Sequence, residues 1–258
     1  MCTAIVSVDP SSPVPVVLVG VRDEFVERPW RPPARHWPAR PGLVGGRDLR
    51  AGGTWLAVDP DAPRAATVLN ARGAMAPEEG RRSRGELPLR AAAGEGLDGL
   101  GGSELARFDP FLLICAEPGL VRLWHWDGAA LSERELGPGL HMVLNSGLEG
   151  EGHQAAATED AHMAARLAHF RPRFAKAGRP EPLPSAGPAE RAWGDWLPLL
   201  AGDGLPRAEP ASLLPLVDLG DGRVWGTTSV SLVGLSSAGV RYDFSAAPGD
   251  PGGWDRVL

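Results

Sequence analysis

The stretch MCTAIVSVDPSSPVPVVLVGVRDEF, residues 1–25, decides how the rest of the chain is read. It holds two extended runs, Cys2 to Val8 and Val16 to Val21, rich in β-branched residues and separated by the turn formers DPSSP. That pattern predicts a β-hairpin. Pairing the runs returns Arg22 and Asp23, at the far end of the second, to the side of Cys2. Removal of Met1, which processing allows before a residue as small as cysteine, makes Cys2 the first residue, with a thiol and a free α-amine. An α-amine titrates near ~7.7–8.0 and a free thiol near ~8.5, so at neutral pH the amine can accept the thiol proton. A guanidinium beside them favours the thiolate, and a carboxylate holds and orients the ammonium. The plain alternative is a cysteine that serves as a small hydrophobe in an apolar strand.

Outward from that hairpin, residues 26–50 are rich in Pro, Arg and Trp and predict a loop without a regular ladder. Trp30 and Trp37 there either wall a ligand or form the loop's own packing. A second arginine–aspartate pair, Arg47 and Asp48, is expected as an ion pair pinning a turn. Gly52 and Gly53 allow close backbone approach before a strand over Thr54 to Val58. A further strand, Ala65 to Asn70, ends on an amide that either points at a reacting carbonyl or caps its own turn. Residues 74–108 are polar and glycine-rich, fitting a flexible lid or a short helix pair. These glycines follow no apolar strand in the manner of a phosphate-binding loop.

Phe111 to Ala116, Val121 to Trp126 and His141 to Asn145 predict strands of a meander, and Asn145 closes the last. Thr158, as N-cap ahead of Glu159 and Asp160, opens a helix expected to reach Phe170, followed by a Pro-rich linker over Arg171 to Pro188. A second helix over Ala189 to Ala201 carries the stripe Trp193, Trp196, Leu197 and Leu200, which faces a sheet. Val224 to Leu235 and Val240 to Phe244 predict a closing hairpin beside the N-terminal strand. One of Thr227, Thr228 and Ser229 could then reach the Cys2 ammonium, although β-propensity alone explains threonines there.

At 258 residues and 43% hydrophobic, the chain can bury a full core, and one domain over 1–258 is the expected organisation. Lys plus Arg total 26 against 32 Asp plus Glu, a net charge of −6 without a basic face, which argues against nucleic acid as a partner. Two cysteines give no disulfide framework, and Cys115, in FLLICAE, reads as core. The N-terminal apolar run lacks a basic flank and is broken by Pro13 and Pro15. No signal peptide, no membrane span and a cytoplasmic location are therefore expected. His162 and His169 have no acidic third ligand at helical spacing, so no metal or cofactor is expected.

GVRDEFVERPWRPPARHW (residues 20–37) followed by GLVGGRDLRAGGTWLAVD (42–59) resembles the NRDE family, also called transport-and-Golgi-organisation-2-like. AATVLNARG, RSRGEL, HMVLNSGL and, more weakly, VWGTTSVSLVGLS extend the resemblance to about Ser236. Two positions depart from its pattern: Val21 replaces the asparagine of the family's name, and Thr228 the arginine after the Gly-Thr of the last strand. The family in turn is similar to N-terminal-nucleophile hydrolases of the choloylglycine hydrolase and penicillin V acylase type. That implies an α+β fold, an αββα sandwich with antiparallel sheets, and cleavage of linear amides. It also implies oxyanion roles for Asn70 and Asn145. A side-chain donor aimed at a developing oxyanion is worth roughly 10²–10³ in rate.

The reading that follows is a hydrolase of a linear amide, or of an acyl ester or thioester, carried by Cys2, Arg22, Asp23, Asn70 and Asn145. One alternative is non-catalytic binding of a hydrophobic ligand, an acyl lipid or a haem, for which His36 and Cys2 are the available axial ligands. The other is acyl transfer in a specialised pathway. In each case the partner is a small-molecule substrate or hydrophobic ligand.

Overall fold

The computed structural model describes residues 2–150 and 158–258. The expected hairpin is present as β1 (Thr3–Val8) and β2 (Val16–Phe25), in register from Thr3 opposite Val21 to Val8 opposite Val16. β2 runs past Val21, so Arg22 and Asp23 lie within a strand. Next come β3 (Trp30–Ala34), β4 (Val44–Asp48), β5 (Leu56–Asp59) and β6 (Arg64–Asn70). A single 3₁₀ turn at Arg84–Glu86 leads into α1 (Leu87–Ala92), and α2 (Gly102–Leu105) follows. The glycine-rich region thus takes the short-helix-pair form, not that of an unstructured lid.

The chain continues as β7 (Phe111–Glu117), β8 (Leu120–Trp126), β9 (Leu131–Glu135), β10 (Gly139–Leu144) and β11 (Gly147–Leu148). Then follow α3 (Thr158–Lys176), α4 (Ala189–Trp193) and α5 (Trp196–Leu200). The chain ends in β12 (Leu216–Asp218), β13 (Val224–Ser236), β14 (Gly239–Ser245) and β15 (Asp255–Arg256).

Among the described residues these strands make two antiparallel sheets. The first runs β11-β10-β1-β2-β13-β14-β15, with β12 paired to β13, and the second runs β3 to β9 in chain order. Period-two alternation sorts each sheet into two faces. Ala4, Val6, Val16 and Leu18 meet Leu56, Val58, Leu112 and Ile114 of the second sheet in a shared core. Ile5, Val17, Val19 and Val21 face Phe170, Trp193 and Trp196 of the helices. On the far side, Ala57, Ala66, Leu113 and Trp124 pack on Leu87 and Leu105. The result is the expected α+β sandwich of four layers, helix, sheet, sheet, helix. Because β1 and β2 are covered on both faces, they read as unbroken apolar runs.

Several expectations are corrected. Residues 26–50 are not all loop: they carry β3 and β4. β3 is an edge strand whose pairing shifts between Arg31 and Ala34, across Pro32 and Pro33. An edge is where prolines without an N–H are tolerated. The meander is β7-β8-β9, and β10 leaves it to pair with β1 in the other sheet. β13 lies beside β2 and not beside the N-terminal strand.

α3 passes through Pro172 to Lys176. An interior proline costs about 3 kcal/mol, and here buried Phe170 and Phe174 lie on either side of it. The side chains of Thr158, Glu159 and Asp160, expected to cap this helix, lie outside the described residues. The second predicted helix is broken into α4 and α5 at Gly194, whose φ is +48°. Its stripe still faces the sheet, with Trp196 edge-on to Phe174 at 5.0 Å between ring centroids. None of the described helices is long and apolar enough to cross a membrane.

Candidate functional site

The site grows from the open end of the β1–β2 hairpin. Because Thr3 pairs with Val21 on one side and with Leu144 on the other, Cys2 lies between Arg22 and Asn145. Its side chain packs on the core between the sheets, half-buried, and its Sγ lies 3.6 Å from the backbone carbonyl of Asp23. Burial pushes the thiol up, the Asp23 carboxylate adds to that, and Arg22 opposes it. Met1, whose removal the α-amine requires, lies outside the described residues.

Alternation places Arg22 and Asp23 on opposite faces of β2. Arg22 points between the sheets, 5% exposed, with its guanidinium 4.5 Å from the Trp55 ring centre. It donates to Thr228 Oγ1 at 2.7 Å and lies 3.7 Å from Asp48 and 3.8 Å from Glu24. Burial pulls this arginine below its ordinary value, while Cys2, Glu24 and Asp48 hold it up. Asp23 points instead toward the helices. It accepts from Thr227 Oγ1 at 2.6 Å and from Arg166 at 3.4 Å. Arg166 also donates to Thr3 Oγ1 and to the Ser212 carbonyl. Cys2 therefore touches the backbone of Asp23, while the carboxylate serves a buried network behind the strand.

The threonines reach this pair through a bulge. Thr227 pairs with Asp23 and Ser229 with Arg22, leaving Thr228 as an extra residue in β13. A bulge re-aims the side chain it carries. Here the Thr228 hydroxyl accepts from the Arg22 guanidinium and donates to the Arg22 carbonyl at 3.3 Å. Among the described residues, the Thr227 and Thr228 hydroxyls thus bond Asp23 and Arg22, and Ser229 Oγ is buried without a partner.

Asn70 and Asn145, far apart in sequence, meet: Asn145 Nδ2 donates to the Asn70 carbonyl at 2.6 Å. An amide nitrogen carries two hydrogens, so one remains for another acceptor. Among the described residues, Asn145 Oδ1 is buried without a partner. The Asn70 side chain is exposed and lines a cavity of about 380 Å³ with Arg22, Glu24, Asp48, Trp55 and Arg84. Cys2 does not itself line this cavity, but Arg22, next to it across the sheet, does, and the thiol acts electrostatically on both Arg22 and Arg84.

The second arginine–aspartate pair is also split. Asp48 pins its turn by accepting from the amides of Arg50 and Ala51, at 2.8 and 2.9 Å, and pairs with Arg28 at 2.5 Å. Arg47 does not take part in that ion pair, and its Nε is buried without a partner among the described residues. Trp30 and Trp37 both pack against the protein, and Trp30 also lines a second cavity. Trp30 stands edge-on to Trp55 and Phe244, and Trp37 donates to the Gly52 carbonyl at 3.0 Å. Cys115 is buried, its thiol pushed up to about 12 by that burial. His36 bonds the Pro32 carbonyl of the preceding strand β3 at 2.8 Å. No cluster of three or more His, Cys, Asp or Glu able to hold a metal occurs among the described residues.

Sequence reasoning missed Arg28, Arg84 and Arg166 as members of this site. Arg166 had a signal: with Met163, Phe170 and Phe174 it occupies the buried face of α3, a charge on an apolar stripe that calls for a buried partner.

Compared with known proteins, the chain matches the family model described as Transport and Golgi organisation 2 over residues 1–169. The match spans the β1–β2 hairpin, both arginine–aspartate pairs and both asparagines, and ends within α3. Comparison with curated proteins gives no match.

Proposed function

The chain belongs to the Transport and Golgi organisation 2 family, also called the NRDE family, and on that scaffold we propose that it is an N-terminal-cysteine hydrolase. Its substrate is a linear amide, or an acyl ester or thioester. The observation that carries this reading is the position of Cys2 between Arg22, which lines a polar cavity, and Asn145.

With Met1 removed, the α-amine of Cys2 takes the thiol proton as Sγ attacks the substrate carbonyl. The C–S bond forms, and the carbonyl π pair moves to oxygen, where the free Asn145 N–H and the Asn70 side chain are the available donors. Collapse breaks the C–N bond, and the ammonium returns its proton to the leaving amine. Water, activated by the same amine, then releases the acid and restores the thiol. An acceptor other than water at this last step turns the same chemistry into acyl transfer. Arg22 supports the thiolate, and the Asp23 carbonyl beside Sγ fixes the entry to β1.

Carriage of a hydrophobic ligand is the second reading, supported by another cavity of about 450 Å³. Its lining includes Val26, Trp30, Leu216, Ala246 and Pro248, behind the Thr228 bulge. Intact mass before and after brief alkylation tests the first reading. A chain short by one methionine, with Cys2 modified much faster than Cys115, supports it, as does loss of turnover in Cys2→Ala. Retained Met1 or an inert Cys2 sinks it. A lipid co-purifying in native mass spectrometry from both the wild type and Cys2→Ala would favour carriage.

A further inference from the structure

The cavity that Arg22 lines is bordered by a short loop with three arginines, Arg81, Arg82 and Arg84. The loop is fastened on both sides. Thr54 N donates to the Gly85 carbonyl at 2.8 Å, and Arg82 N donates to the Arg107 carbonyl at 2.8 Å. Gly53 packs so tightly on Gly85 that a Cβ there would stand 2.4 Å from its backbone. Arg84 therefore reaches the cavity from backbone that is held in place.

The lining carries five arginines, Arg22, Arg28, Arg81, Arg82 and Arg84, against three carboxylates, Glu24, Asp48 and Asp109. These charges are unevenly paired. Arg28 has Asp48 at 2.5 Å, Arg82 has Glu86 at 2.5 Å, and Arg81 lies 3.5 Å from Asp109. Arg84 donates once, to the Pro110 carbonyl at 2.9 Å, and among the described residues it has no ion pair. A guanidinium offers five donors in a fixed fork that matches carboxylate and phosphate oxygens. Burial pulls Arg84 below its ordinary value, and the groups that hold it up are Asp109, Cys2 and Glu24, none of them in contact with it.

We propose that Arg84 and Arg22, with Arg81 at the rim, bind an oxyanion group, a carboxylate or a phosphate, on the substrate that Cys2 attacks. The assignment rests on Cys2 as the reacting residue, and it gives that residue a substrate class: acyl compounds with a charged group next to the scissile bond. The anion completes the coordination Arg84 lacks and offsets the excess of arginines over carboxylates in the lining.

The test treats the full chain with iodoacetate and, separately, with iodoacetamide. The two present the same reacting carbon to Cys2 and differ in carrying a carboxylate or a neutral amide. In the wild type, the iodoacetate-to-iodoacetamide rate ratio at Cys2 is expected to be about tenfold above that of Arg84→Gln, with Arg84→Lys between them. Inorganic phosphate and malonate are each titrated against Tm in the same proteins, and whichever raises the wild type and not Arg84→Gln identifies the oxyanion. Arg81→Gln, at the exposed rim, repeats both readouts in a variant that leaves the Pro110 contact intact. Unchanged ratios in every variant, with no Tm response to either anion, overturn the assignment while leaving Cys2 reactive. If Cys2 is inert to both reagents and an anion still raises Tm through Arg84, the nucleophile reading fails and the anion site stands.

Discussion

The ends of β2 and β4 carry the same dipeptide, arginine then aspartate, and use it in opposite ways. At β2 the carboxylate is closed in: Asp23 and Arg166 meet with side chains 0% and 1% exposed, held further by Thr227 and Thr3. At β4 the carboxylate faces the open cavity, where Asp48 is shared between Arg28 and, more distantly, Arg22. In neither dipeptide do the neighbours pair with each other, because a strand sends consecutive side chains to opposite faces. The first arginine and the second aspartate instead meet across the cavity. The closed pair secures the fold, and the open one sets charge where a ligand can enter.

The sharpest break of that contrast is Asp23→Ala, which leaves Arg166 charged in a buried pocket without its carboxylate. A loss of about 3–5 kcal/mol is expected in the denaturant midpoint. A loss below about 1 kcal/mol would mean that the closed pair is no more structural than the open one. Gly53→Ala comes next: its Cβ would stand 2.4 Å from the Gly85 backbone, so the arginine loop must shift. About 1–3 kcal/mol of stability is expected to be lost, together with any anion-induced rise in Tm, a pairing that Asp23→Ala does not predict.

Asp48→Asn should cost only about 1 kcal/mol at neutral pH. Burial works against the Asp48 carboxylate, but Arg28 and the amides of Ala51 and Arg50 outweigh it and hold it below 3.8. A depressed acid contributes stability above its unfolded value and loses it as pH falls through the folded one. The gap between wild type and Asp48→Asn should therefore close in acid, below about pH 3.8. Equal stability of the two proteins at pH 7 would remove the open pair from the stability balance.

The smallest effect is expected at the thiol. Cys2 is held above 9.0, so its alkylation should still be climbing with pH beyond 9, while Cys115, pushed up to about 12, stays inert. Removing the Asp48 charge frees more of the Arg22 field for the thiolate, and Asp48→Asn should alkylate a few-fold faster at pH 8. A slower rate would mean that Arg22 does not act on Cys2 as described.

The hairpin, the closing strands and the place of Cys2 beside Arg22 were legible because each depends on local pattern, β-branched runs, a proline-bounded turn and strand ends, whereas Asn145 was singled out by family resemblance alone. The side of the sandwich that β10 joins was not, since alternation marks a strand without naming its sheet. Asp48 was legible as a turn residue, yet its partner Arg28 was not, because the pairing joins two strand ends through the tertiary fold. Arg84 lay in a segment recognised only by family resemblance, and the lack of an ion partner that makes it informative is a property of three dimensions.

The extra residue Thr228 has a consequence best put as parity. Beyond it, Val230 and Leu232 face the helices and Val233 and Leu235 face the other sheet. Unbroken alternation would put odd-numbered Thr227 on the sheet side, but the bulge returns it to the helix side, opposite Asp23. The strand thus counts odd on one side of residue 228 and even on the other. Deleting that single residue would restore unbroken alternation, leaving Thr227 opposite Asp23 and Ser229 opposite Arg22, so Asp23 would keep its hydroxyl and only Arg22 would lose an acceptor. A one-residue deletion in this strand is therefore neutral to the faces at 228, whereas one within the regular stretch beyond it would swap inside and outside on one side of the cut.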